Sequence, residues 1–109
     1  MVIAVAAALA TPLTAYAEAV PRYDPVAWCE EVASTGGGMS ETIKRGCLEE
    51  EQSAYDRLKE KWAAVPMKSR EWCDQVARTA SHGSYSILAG CISEEMDNKE
   101  KNDGAEFKF

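Results

Sequence analysis

Apolar residues recur at helical spacing in four stretches between Asp24 and Lys99, separated by short breaks rich in glycine, serine or proline. Val26, Cys29, Val32 and Ala33 share one face of a helix expected from Pro25 to about Ser34. Asp24 is its N-cap, and Pro25 takes the first helical position, where a missing N–H costs nothing. Thr35-Gly36-Gly37-Gly38 stops it. Ser40 caps a second helix with Glu41 in its first turn, and Ile43, Cys47, Ala54, Leu58 and Trp62 carry a stripe to about Val65, where Pro66 forbids continuation. A third helix is expected from about Arg70 to Thr79 after Ser69. Following the loop Ala80-Ser81-His82-Gly83, Ser84 caps a fourth from Tyr85 to about Lys99. Residues 18–23 read as an extended leader, and the polar tail 97–109 is expected to fray.

The second half of this pattern repeats the first. Set 44 residues apart, Trp28–Glu51 and Trp72–Glu95 agree at eleven of twenty-four positions without a gap. All four cysteines lie inside the repeat, at the same two places in each copy. Four cysteines allow three pairings, and a unit copied whole should carry its own bond, so Cys29 is expected with Cys47 and Cys73 with Cys91. Cys29 stands six residues before Thr35 and Cys47 seven after Ser40; at about 1.5 Å per residue, both lie roughly 10 Å from the turn. Antiparallel helices would place them side by side. The fold class is all-α: two disulfide-stapled antiparallel helical hairpins, about 24–66 and 68–99, packed into a small four-helix array. A zinc site is disfavoured, because there is no Cys-x-x-Cys and His82 is the single histidine.

Composition and the N-terminal segment set the compartment. Val2 to Ala10 is apolar and alanine-rich, Thr11-Pro12 breaks it, and Ala15-Tyr16-Ala17 is a small-x-small cleavage pattern before Glu18. Residues 1–17 therefore read as a signal peptide whose basic n-region is truncated, leaving 18–109 as one domain. A membrane anchor needs about 20 apolar residues, and Pro12 interrupts well before that. The expected location is the periplasm or the exterior, where disulfides persist. The net charge of −6 with no basic cluster makes the chain a poor partner for nucleic acid or anionic lipid, and neither is expected.

The hairpin register also assigns the repeated acidic pairs. Glu50 and Glu51 fall opposite the start of the first helix, and Glu94 and Glu95 opposite the start of the third. A carboxylate there satisfies orphan N–H groups and the positive end of the helix dipole, so one of each pair is read as a tertiary cap. The rival role is a hard-cation site of the calcium or lanthanide type, which oxygen-rich clusters can form. Trp28 and Trp72 are expected to pack over their disulfides. Trp62 lies where the second helix outruns its hairpin by about 14 residues, or 20 Å. That stripe needs cover: the second hairpin is the expected one, closing a compact four-helix array, and a second protein molecule is the alternative, which would make Trp62 an interaction surface. Gly36-Gly37-Gly38 lacks the lysine of a phosphate loop, and spacing supplies no carboxylate to orient His82.

One cysteine per helix, the Gly83-Ser84-Tyr85-Ser86-Ile87 turn, and a cysteine followed by a glutamate pair resemble a group of uncharacterised small exported proteins of alphaproteobacteria. The resemblance covers Trp28–Leu58 and Trp72–Met96. Its first copy departs at the turn, Gly38-Met39-Ser40-Glu41-Thr42. It implies no catalytic residue and no cofactor. The expected function is non-enzymatic: binding or structural association, with an unknown protein partner or a second copy, and no membrane contact after cleavage. Hard-cation binding is the alternative and an enzyme the third reading.

Overall fold

The computed structural model describes residues 19–109, so the expected signal peptide 1–17 lies outside the described residues. Helix α1 spans Pro25–Ala33, α2 Glu41–Lys61, α3 Met67–Ala77 and α4 Tyr85–Asp103, with one 3-10 turn, Trp62–Ala64, between α2 and α3. Among the described residues there is no strand, and no helix is long and apolar enough to cross a membrane. Short side chains cap three of the four starts: Asp24 accepts from Ala27 N at 3.0 Å, Ser40 from Ile43 N at 3.2 Å, and Ser84 from Ile87 N at 3.2 Å.

Two boundaries differ from expectation. Helix α3 begins at Met67 rather than Arg70, because Pro66 both ends the preceding turn and accepts the new helix's first bond, from Arg70 N at 3.0 Å. Ser69 is therefore inside the helix and caps nothing. Helix α4 continues through Asp103 instead of fraying after Lys99. Its last turns bury no stripe, but (i, i+4) pairs support them: Lys99 to Asp103 at 2.9 Å and Lys101 to Asp97 at 3.1 Å.

The disulfides are Cys29–Cys47 and Cys73–Cys91, each closing an antiparallel hairpin with its Cα atoms 5.5 Å apart. Packing runs in the order α1, α2, α4, α3: each hairpin pairs internally, and α2 meets α4 between them. The main core lies at that junction and inside the second hairpin, from Ala54, Leu58, Trp62, Val65, Cys73, Ala77, Tyr85, Leu88 and Ile92. Helix α1 buries only Cys29 and Ala33. The first hairpin therefore depends on its sulfur bridge more than the second does.

Candidate functional site

The repeated acidic pairs do not behave alike. Glu51 is 2 % exposed and caps α4, the far hairpin's helix, rather than α1. It accepts from Tyr85 N at 2.7 Å, Ser86 N at 3.1 Å, Ser84 Oγ at 2.9 Å and Ser86 Oγ at 2.7 Å. Two of α4's orphan amides and its partial positive charge are thereby satisfied across the junction. The start of α1 is already served by Asp24. Glu50 and Glu94 are exposed, Glu95 is half-buried, and none of the three carboxylates accepts a hydrogen bond among the described residues. Their expected role as caps of α1 and α3 is thus corrected: one pair member caps, and it caps the neighbouring repeat. Among the described residues, no three His, Cys, Asp or Glu side chains are grouped to hold a metal ion.

Trp62 is covered by the second hairpin, as expected first: it is 4 % exposed and lies in the core where α4 covers the overrun of α2, so the alternative of an interaction surface at Trp62 is set aside. Its Nε1 is buried without a partner. Arg70, 8 % exposed, stacks over its ring at 5.4 Å from the centroid. The guanidinium donates to Val65 O at 3.0 Å and Trp62 O at 2.8 Å. A fixed cation thus closes the carbonyl end of the α2 segment, the end where the helix dipole favours positive charge. Sequence spacing gave no sign of this cap.

The leader binds back onto the second hairpin. Tyr85 Oη donates to Pro21 O and accepts from Tyr23 N, both at 2.8 Å, while Tyr23 Oη donates to Asp74 at 2.6 Å. Arg78 holds the same carboxylate at 3.0 Å and lies over the Tyr23 ring. Burial, then the bond to Asp74, pushes the Tyr23 phenol far above its usual range; burial raises that of Tyr85. Gly83 has φ +77°, and a Cβ there would stand 2.5 Å from the Tyr23 ring, so glycine is required on both counts. Beside it, His82 Nε2 lies 3.3 Å from Glu31, the orienting carboxylate that spacing did not reveal. Ser81 Oγ donates to that same carboxylate at 2.6 Å, not to the imidazole. The trio ties the end of α1 to the loop between α3 and α4 and is not arranged as nucleophile and base.

The repeat identities divide cleanly. Four of the eleven maintain each hairpin. Cys29 and Cys73, with Ala33 and Ala77, are buried. Thr35 and Thr79 bond Val32 O and Val76 O, and Ser40 and Ser84 are the caps. The other seven line an equivalent shallow groove on each hairpin. The first, of about 400 Å³, is walled by Trp28, Val32, Ile43, Gly46, Cys47 and Glu50, with Glu51 and Ser86 at its edge. The second, of about 730 Å³, is walled by Trp72, Val76, Ile87, Gly90, Cys91 and Glu94, with Glu95, Ser86 and Asn98 at its edge.

Two features of these grooves lack an internal reason. Gly46 and Gly90 sit inside helices, where glycine costs about 1 kcal/mol relative to alanine, yet a Cβ at either would meet nothing within 4 Å. The apolar walls are open as well: Ile43 is 50 % and Trp72 53 % exposed, so Trp72 does not shelter over its disulfide as expected. The mid-helix glycine shared by both copies was the one signal in the sequence that could have located these surfaces. No protein-family model, curated protein or solved structure matches this chain.

Proposed function

We propose that the chain is an exported, non-enzymatic binding module that engages its partner through two equivalent grooves, one per hairpin. The observation that carries this reading is that five of the seven repeated lining positions, Trp28/Trp72, Val32/Val76, Ile43/Ile87, Gly46/Gly90 and Glu50/Glu94, neither form a disulfide nor cap a helix, yet stand together on both grooves. An open glycine floor admits close backbone approach, Trp and Ile supply apolar contact, and the glutamates at one edge favour a cation. The matching ligand is a peptide segment that sets an aromatic or aliphatic side chain beside a lysine or arginine. Closed disulfides, and the absence of a membrane-crossing helix among the described residues, are compatible with the periplasm or the exterior.

Groove filling tests the reading. Gly46→Leu and Gly90→Leu place side chains in space that is empty within the chain, so the fold should persist. Fluorescence anisotropy of a labelled peptide alternating phenylalanine and lysine should report two saturable events per chain. Each variant should remove one event, and the double variant both. Binding that ignores both substitutions, or an absence of saturable binding, overturns the proposal.

A further inference from the structure

The chain carries a segment with the chemistry its own second groove would take. Beyond the end of α4, Phe107 is 82 % exposed and Phe109 fully exposed, with their rings edge to face at 5.0 Å between centroids and Lys108 between them. An aromatic pair held in water flanking a lysine is the complement of a Trp-walled groove edged by Glu94 and Glu95. Glu51 is occupied by the start of α4, whereas the carboxylate of Glu95, its counterpart in the second repeat, is half-buried and accepts no hydrogen bond among the described residues.

Resting on the reading of the grooves as binding surfaces, we infer that the Trp72 groove receives the Phe107-Lys108-Phe109 segment of a second copy of this chain. Groove and segment both belong to the α4 arm, so a two-fold arrangement lets each copy serve the other with the same contact. The rings supply most of the apolar area and the open groove little of its own, so the exchanged contact belongs to the small, transient class of interface.

Sedimentation equilibrium of the chain across a wide concentration range tests the inference. A dimer is expected. A Phe107→Ser/Phe109→Ser variant, altered only where the chain is exposed, should weaken it by about tenfold or more, and Trp72→Ser should do the same. Mixing the two variants should restore a heterodimer held by one exchanged segment. Three outcomes overturn the inference: a monomer at every concentration, a dimer indifferent to the phenylalanines, or a monomer whose Trp72 emission depends on them, which means the segment folds onto its own groove. A chain that stays monomeric yet still binds the labelled peptide loses the exchange and keeps the grooves.

Discussion

Replacing Glu51 with Ala removes the carboxylate that joins the two hairpins and should be the most damaging single change on the chain's acidic surface. Tyr85 N and Ser86 N would lose their acceptor, and α4 cannot supply one, because the first N–H groups of a helix have no intrahelical partner. An orphaned buried donor costs about 1–3 kcal/mol. Tyr85 is buried and Ser86 half-buried, and relief from dehydrating a carboxylate that is 2 % exposed offsets part of the loss. The net cost is about 2–4 kcal/mol, a large share of the stability of a domain this small. At about 4–8 °C per kcal/mol, the thermal midpoint should fall by roughly 8–32 °C. Urea unfolding and thermal melts followed by circular dichroism, with the disulfides intact, measure the free energy and the midpoint. Glu50→Ala is the control and should stay within about 0.5 kcal/mol of the unaltered chain. A loss below about 1 kcal/mol for Glu51→Ala, or an equal loss for Glu50→Ala, refutes the cross-hairpin cap.

Three further expectations follow from the same contacts. Arg70→Met keeps the volume over Trp62 but leaves the Val65 and Trp62 carbonyls without their donor, and should cost about 2–4 kcal/mol in urea unfolding. Removing Cys29–Cys47 by paired serine substitution withdraws about 3 kcal/mol of loop restraint; because α1 buries so little else, its amides should exchange freely while those of α4 stay protected. The same substitution at Cys73–Cys91 should lower the stability of the whole domain instead. Above about pH 10 the unfolded chain releases tyrosine protons that Tyr23 and Tyr85 retain when folded, so the folded state binds more protons and stability must fall as pH rises. Tyr23→Phe/Tyr85→Phe should flatten that alkaline slope in thermal melts at successive pH values.

The duplication made the architecture legible before any coordinates. A repeated Trp-Cys followed by a repeated Gly-Cys fixes two hairpins and their bridges, and local punctuation at Asp24, Ser40, Pro66 and Ser84 fixes most of the helix ends. Contacts between hairpins were not legible. Register arithmetic sees only residues facing each other within one hairpin, so it turned Glu51 toward α1 when α2 in fact lies against α4. It also treats Glu51 and Glu95 as equals, although among the described residues only Glu51 meets a helix start. Trp62 is covered by the second hairpin as its overrun implies, whereas Trp72 stands exposed because no neighbouring element among the described residues packs over it. The polar run Asp97–Gly104 sets the expectation for the whole tail and says nothing of Phe107 and Phe109, which follow it among charged neighbours. Cross-hairpin groups such as Glu31 with His82 and Tyr23 with Asp74 are 51 residues apart in sequence, and no local pattern announces them.

The grooves can be interrogated most directly by amide and indole NMR during titration with a peptide alternating phenylalanine and lysine. The indole signals of Trp28 and Trp72 and the amides of Gly46 and Gly90 should shift together and saturate, while the buried Trp62 indole stays still. Shifts confined to Trp62 or to the His82 loop, or none that saturate, would contradict the assignment of function to the repeated faces.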